Sequence, residues 1–234
     1  MPRLPRVMSP GFPQHLIQRG NNREPCFFAE ADYRIYLHWL ERAASAYSVS
    51  IHAYCLMPNH VHLLATPGVE GGISRMMQYL GRQYVQYVNR TYDRRGTLWE
   101  RRFLASLVDT EGCLLSIYRY IESNPVRAGM VAAPEQYRWS SARNHVAPIE
   151  ASFLVDHDAY LRLGDTPHAR AQAYLEWARK PLEDEVLAEI RLAAKRGVPF
   201  GSDGFKDQVE IQLGRRMRLL KPGRKPKSNG EAVR

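Results

Sequence analysis

Hydrophobic positions along the first half of the chain follow two periods, one typical of strands and one typical of helices. Short apolar or alternating runs bounded by turn residues predict four strands, at 14–19, 50–57, 60–64 and 98–108. Apolar residues spaced three and four apart predict three helices, at 33–47, 73–87 and about 111–124. The order of these elements predicts an α+β fold, a ferredoxin-like antiparallel sheet backed by helices.

The pattern changes beyond about residue 146, where only helical segments are predicted. The segment that starts at Pro181 has acidic residues in its first turn and ends at Lys195-Arg196-Gly197, as helix polarity favours. A similar helix is predicted just before it, at 167–179. We therefore predict three parts, a domain over 1–146, a helical extension over 147–213 and a basic, flexible tail over 214–234.

Composition narrows the class of protein. With 234 residues and a hydrophobic share of 44%, the chain can bury a full core. No run approaches the roughly 20 apolar residues of a membrane span, and no apolar signal-peptide core is seen. Three widely spaced cysteines without a CxxC motif argue against a disulfide framework or a zinc knuckle. We expect a cytoplasmic protein with reduced thiols and no membrane partner.

The charge favours a polyanionic partner, since the net charge is +9 and the isoelectric point is near 9.6. Seven of the positive charges lie between positions 215 and 227, where no acidic residue occurs. Arg224 and Lys225 belong to this group. The tail therefore predicts nonspecific electrostatic attachment to nucleic acid.

A histidine pair occurs in the apolar run Leu-Met-Pro-Asn-His-Val-His-Leu-Leu at 56–64. On a strand, His60 and His62 point to one face while Val61 points to the other. Two imidazoles side by side on a rigid strand are the start of a metal site. A purely structural role for both histidines is the alternative, and the pair alone does not decide between them.

The third predicted helix carries a second candidate group. Tyr120 and Asn124 are four residues apart, so a phenol and an amide lie on one face of this helix. The amide oxygen can bond locally or reach a metal. The alternative makes Tyr120 a core aromatic and Asn124 a helix terminator before Pro125.

Taken together, the motifs resemble a known family. His-Val-His after Met-Pro-Asn, followed by Tyr-x-x-x-Asn-Pro-Val-Arg-Ala-Gly, resembles the single-tyrosine HUH transposases, and more narrowly the REP-associated tyrosine transposases of bacteria. Three other motifs fit the same family: Gln-Arg-Gly-Asn at 18–21, Leu-Trp-Glu-Arg-Arg-Phe at 98–103 and Arg-Trp-Ser-Ser at 138–141. The resemblance covers about residues 10–146.

This resemblance implies an HUH nuclease fold and a role for each candidate. His60 and His62 would bind a divalent metal, Mg²⁺ or Mn²⁺, and Asn124 would complete the ligand set where related transposases have glutamine. Tyr120 would be the nucleophile. Tyr118 is a fallback, but it lies six residues from Asn124 and would point away from it on a regular helix.

The implied substrate is single-stranded DNA folded into the hairpins of repetitive extragenic palindromes. Attack by the tyrosine would leave a 5′-phosphotyrosine and a free 3′-OH, and a second DNA end could then reverse the reaction in strand transfer. The resemblance allows a monomer or a homodimer, located in the cytoplasm at the nucleoid.

Candidate DNA contacts combine this resemblance with the charge pattern. They lie on the turn after the first strand, on a stripe of the second helix, beside Trp99 and in the tail. The residues are Arg19, Asn21, Asn22, Arg23, Arg75, Arg82, Arg90, Arg101, Arg102, Arg224 and Lys225. For the helix stripe and the Trp99 cluster, an ordinary solvated surface or strand edge is the alternative.

Two other functions stay open at this stage. One is a hairpin-binding regulator of the same fold without catalysis. The other is a metal hydrolase in which the histidine pair activates water, which predicts cleavage without a covalent adduct.

Overall fold

A computed structural model describes residues 9–110, 112–147, 152–214 and 216–218. Within these ranges one antiparallel sheet has the strand order β2-β3-β1-β4. Its strands are β1 (Gln14–Arg19), β2 (Val49–Met57), β3 (His60–Pro67) and β4 (Leu104–Leu107). This order, with a helix after β1 and another after β3, confirms the predicted ferredoxin-like fold.

Helices cover the sheet and build the second half of the chain. The helices of the first half are α1 (Glu30–Ala46), α2 (Gly72–Thr91), α3 (Leu114–Glu122) and the single turn α4 (Asn124–Arg127). Those that follow are α5 (Ala142–Val146), α6 (Asp158–Leu161), α7 (Pro167–Ala178), α8 (Asp184–Arg196) and α9 (Asp203–Leu213). In the described part of the chain, no helix combines the length and apolar character needed to cross a membrane.

The two faces of the sheet pack against different helices. Leu63 belongs to a hydrophobic cluster with α1 and α2, whereas its neighbour Leu64 belongs to a second cluster with Ile117 of α3. Side chains alternate along a strand, so His60 and His62 share the face of Leu64. The strand register therefore turns the histidine pair toward α3.

The fourth strand is shorter than the predicted 98–108. Trp99 forms only an isolated bridge with Gly20, and the chain then leaves the sheet before it returns as β4. The exposed Arg101 and Arg102 lie in this excursion. The apolar pattern alone could not show that two short pairings replace one strand.

The third helix was predicted to run to Asn124 and to stop there because of Pro125. Instead α3 ends at Glu122, and a separate turn begins at Asn124 with Pro125 inside it. Proline is tolerated in a first helical turn because its missing N–H would have no partner there. The prediction that helical geometry ends at Pro125 was wrong.

The helical extension shares its core with the sheet. Tyr160 of α6, Tyr174 of α7 and Ile190 of α8 all pack in the cluster that contains Ile117 of α3. Phe200 joins the same cluster and pairs with Val108, beside the end of β4. The extension therefore supports α3 from behind.

The beginning of the predicted tail is held on the body. Met217 is buried against Leu107 and Phe205. The backbone N–H groups of Met217 and Arg218 both donate to a carboxylate oxygen of Glu210, each at 2.7 Å. Residues 217 and 218 of the predicted tail therefore contact the body, while Arg224 and Lys225 lie outside the described residues.

Burial of His52 of β2 favours its neutral form. Its Nδ1 lies 2.7 Å from the carbonyl oxygen of Val155, and its Nε2 lies 2.8 Å from the hydroxyl of Thr66. The carbonyl can only accept, so Nδ1 carries the proton and Nε2 accepts from Thr66. Burial is the main cause that lowers the pKa of His52 to about 4.

We expect His52 to make the protein less stable in mild acid. In the unfolded chain the His52 imidazole is protonated below about pH 6.5, whereas in the folded chain it is protonated only below about pH 4. The stabilisation is therefore complete above pH 6.5 and is lost as the pH falls. Between pH 7 and pH 5 the loss is about 2 kcal/mol of unfolding free energy for this group. Urea denaturation of wild type and His52→Gln at both pH values tests this; equal pH slopes would contradict it.

Candidate functional site

The histidine pair lies at the start of β3, on the face covered by α3. The ring centroids of His60 and His62 are 5.0 Å apart. His60 is half-buried, whereas His62 is only 3% exposed. Both rings are carried by a strand that is paired on both sides, so their positions are rigid.

Both imidazoles are neutral at physiological pH. Burial lowers the pKa of His60 to about 4, and the positive charge of Arg19 contributes. Burial likewise lowers the pKa of His62 well below its usual range, with the neighbouring histidine His15 as the next cause. A neutral imidazole has a nitrogen lone pair to donate, so both rings suit a metal cation.

The tautomer of His60 is set by Asn59. His60 Nδ1 lies 2.6 Å from Asn59 Oδ1. The same amide donates its Nδ2 to the carbonyl oxygen of Arg23 at 3.1 Å, which fixes its orientation. Nδ1 of His60 must therefore carry the proton, and Nε2 keeps the lone pair that a metal would use.

Helix α3 places Tyr120 at the edge of the histidine rings. The Tyr120 ring centroid lies 5.7 Å from that of His62 and 5.6 Å from that of His15, edge-on in both cases. Tyr118 is fully buried on another side of the helix, where it stacks on Tyr160. The structure thus brings Tyr120, and not Tyr118, to the histidines.

Asn124 caps the end of α3. Its Nδ2 donates to the carbonyl oxygens of Tyr120 at 3.1 Å and Ile121 at 3.2 Å, two acceptors left open at the helix terminus. These bonds do not use Oδ1. Among the described residues no group of three His, Cys, Asp or Glu side chains could hold a metal, so a third protein ligand would have to be of another type. An amide oxygen suits Mg²⁺ or Mn²⁺.

Arg127 joins the site although it was not predicted from the sequence. Its Nη2 donates to the Tyr120 carbonyl oxygen at 2.6 Å, and its Cζ lies 4.5 Å from the Tyr120 ring centroid. A guanidinium over a phenol ring is attracted to its π face, so Arg127 helps to hold the Tyr120 ring in place. The spacing of seven residues, two helical turns, was the available signal.

Glu122 anchors the tyrosine helix from behind and was also not predicted. It is 2% exposed, and its carboxylate is hydrogen-bonded to the hydroxyls of Ser141 and Tyr174 and to Nδ1 of His145. Ser141 lies just before α5, His145 lies on α5 and Tyr174 lies on α7. The network therefore joins α3 to the helical extension through a charged acceptor.

We expect the Tyr174 hydroxyl to stabilise this anchor. Tyr174→Phe removes a 2.6 Å bond to the Glu122 carboxylate and should lower the unfolding free energy by about 1.5–3 kcal/mol. Tyr160→Phe is the matched control, because its hydroxyl donates to a neutral backbone carbonyl, that of His145. Its loss should be about 1 kcal/mol. Urea denaturation measures both; an equal or smaller effect at Tyr174 would refute the anchor.

The turn after β1 lies against the histidine hairpin. Gly20 donates its N–H to the Asn59 carbonyl oxygen at 2.8 Å, and a side chain at this position would collide with Glu24. The exposed residues Asn22 and Arg23 have φ of 52° and 62°. The candidate DNA contacts of this turn, which also include Arg19 and Asn21, are therefore next to His60.

The other candidate DNA contacts fall into two groups. Glu100 N–H donates to the Arg19 carbonyl oxygen at 2.9 Å, so Arg101 and Arg102 follow directly beside the same turn. Arg75, Arg82 and Arg90 are exposed on α2, which packs on the opposite face of the sheet. The structure does not bring this stripe together with the histidine pair.

A ferredoxin-like sheet that turns a histidine pair toward a helix-borne tyrosine defines the HUH nuclease class of fold. The family model described as "Transposase IS200 like" matches residues 11–124, which contain the whole sheet, both histidines and Tyr120. Residues 11–124 of the chain are therefore similar to this transposase family.

Two comparisons refine this assignment. Over 104 residues the chain is 29% identical to a Haemophilus influenzae protein assigned as a REP-associated tyrosine transposase, and the alignment covers 40% of this chain and 59% of the relative. The chain thus matches less than two thirds of that relative. A solved REP-associated tyrosine transposase bound to a REP hairpin is 19% identical, with a TM-score of 0.55 over 68% of this chain and 93% of the other, and shares the fold. The family resemblance seen in the motifs is confirmed.

Proposed function

We propose that this protein cleaves and rejoins single-stranded DNA at REP-type hairpins through a 5′-phosphotyrosine intermediate on Tyr120, with Mg²⁺ or Mn²⁺. The observation that carries the proposal is the Tyr120 ring 5.7 Å from His62 in the same chain. A nucleophile beside neutral, metal-binding imidazoles is the combination that cleavage of an anionic phosphodiester requires.

His60, His62 and Asn124 would hold the cation through two imidazole nitrogens and one amide oxygen. When bound, a divalent cation offsets charge on the scissile phosphate and on the departing oxygen. Asn124 would have two roles, because its Nδ2 caps α3 while its Oδ1 would bind the metal. This links the ligand set mechanically to the helix that carries Tyr120.

Tyr120 supplies the covalent step. Its phenol oxygen forms a bond to phosphorus, and the bond from phosphorus to the 3′ oxygen breaks. The phenol loses one proton and the released 3′ oxygen gains one, so the step is balanced. Arg127 helps to hold the Tyr120 ring in place for this attack. Attack by a second 3′-OH on the phosphotyrosine reverses these bonds and transfers the strand.

The DNA would approach from the turn that follows β1. Arg19, Arg23, Arg101 and Arg102 provide positive charge beside His60, which suits contacts to phosphates close to the cleaved bond. The α2 stripe lies across the sheet and would contact a more distant part of the hairpin. Since Tyr120 and the histidines come from one chain, a monomer contains all the catalytic groups.

A labelled hairpin oligonucleotide, incubated with the protein and Mg²⁺ or Mn²⁺, tests this function. We expect cleavage together with an SDS-resistant protein–DNA adduct that requires the metal. Cleavage without an adduct would replace the proposal by a water-activating hydrolase. Tight binding without cleavage would replace it by a hairpin-binding regulator.

A further inference from the structure

Behind its ring, His62 is hydrogen-bonded to a second histidine, His15 of β1. The contact joins His15 Nε2 to His62 Nδ1 at 2.9 Å. The rings are nearly coplanar, with 17° between their planes and 5.1 Å between their centroids. This separation corresponds to two imidazoles joined edge to edge through these nitrogens rather than stacked face to face.

His15 has no nitrogen left for a ligand. Its ring is 0% exposed, its Nε2 is occupied by His62, and its Nδ1 is buried without a partner among the described residues. His15 can act on a metal at this site only through His62.

One shared proton permits two arrangements of this pair. If His62 Nδ1–H donates to His15, then His62 Nε2 keeps its lone pair and can bind a metal. If His15 Nε2–H donates instead, neutral His62 carries its own proton on Nε2, which blocks that nitrogen. Only the first arrangement agrees with a ligand role for His62.

We propose that His15 is a positioning residue that accepts the Nδ1–H of His62 and so holds His62 in its metal-binding tautomer. The inference rests on the proposed function, because it assigns His15 to the same metal site. Metal-binding histidines commonly donate their second N–H to an acceptor in this way, and loss of such an acceptor typically costs about 10- to 100-fold in metal affinity or activity. Here the acceptor is a second imidazole.

Two variants of His15 distinguish a role as hydrogen-bond acceptor for His62 from a purely structural role in the core. His15→Phe keeps a planar ring and removes the acceptor, whereas His15→Gln can return an oxygen near the position of Nε2. By calorimetry on the DNA-free protein, we expect Mn²⁺ affinity to fall about 10- to 100-fold in His15→Phe and to recover in His15→Gln. Hairpin affinity in EDTA should equal that of wild type in both. Undiminished Mn²⁺ affinity in a folded His15→Phe, or equal losses in both variants, would overturn the proposal.

The tautomer itself can be observed in wild type, so the test survives if a variant fails to fold. Long-range ¹H–¹⁵N NMR of the metal-free protein should show the proton of His62 on Nδ1. A proton on Nε2 would overturn the proposal. These readouts do not need DNA cleavage. A failed adduct assay therefore rejects the proposed function, whereas a wrong tautomer or unchanged Mn²⁺ affinity rejects only the role of His15.

Discussion

Tyr120→Phe is expected to abolish both the covalent adduct and strand cleavage, a loss of about 10⁴-fold or more in rate. The substitution removes one oxygen atom. It retains the ring, its edge contacts with His15 and His62, and a face for the Arg127 guanidinium. Hairpin affinity and thermal stability should therefore stay close to those of wild type.

The measurement is the SDS-resistant adduct with a labelled hairpin, and Tyr118→Phe is the matched control. The two tyrosines lie on one helix, but Tyr118 is buried against Tyr160 and away from the histidines. Tyr118→Phe should keep the adduct. Cleavage that survives Tyr120→Phe would mean that water, or another residue, is the nucleophile.

His62→Ala should remove cleavage and the metal-dependent adduct while it spares hairpin affinity. The substitution deletes one of the two proposed imidazole ligands of the metal. The cleavage rate should therefore fall by more than the roughly 100-fold that removal of a hydrogen-bond partner of a ligand can cause. Affinity should persist because the candidate DNA contacts are arginines and asparagines outside the pair. Electrophoretic mobility shift in EDTA measures that affinity separately from cleavage.

His38→Ala is the control for the loss of an imidazole, since His38 is exposed on α1, across the sheet from the site. It should retain full cleavage. If His62→Ala weakens hairpin binding as much as cleavage, or unfolds the protein, the histidine pair is structural and the metal site is rejected.

The fold was predictable because its elements have clear local signals. Strand and helix periods in the first 110 residues identify β1, α1, β2, β3 and α2 with small errors at their ends. The errors occur where pairing partners decide the outcome. Trp99 pairs with Gly20 and not within a continuous strand, and Asn124 starts a new turn instead of ending a helix.

The site was predictable only in part. The spacing of His60 and His62 on a strand, and of Tyr120 and Asn124 along the chain, made all four candidates, and the family resemblance gave each its predicted role. His15 and Glu122 were missed because each acts through a partner that is close only in space. Glu122, for example, meets Tyr174 across 52 positions of the chain. Arg127 was missed although it lies only seven residues from Tyr120.

By itself the sequence determined which residue types stand at which period, and hence the sheet, the main helices and a histidine pair on one strand face. Only the tertiary structure decided which residues contact the strand face that carries the histidine pair. The register of β1 against β3 sets His15 behind His62, and the packing of α3 on the sheet sets Tyr120 at the edge of both rings. The physical reason is that alternation along a strand is local, whereas strand register and helix docking depend on contacts between distant segments.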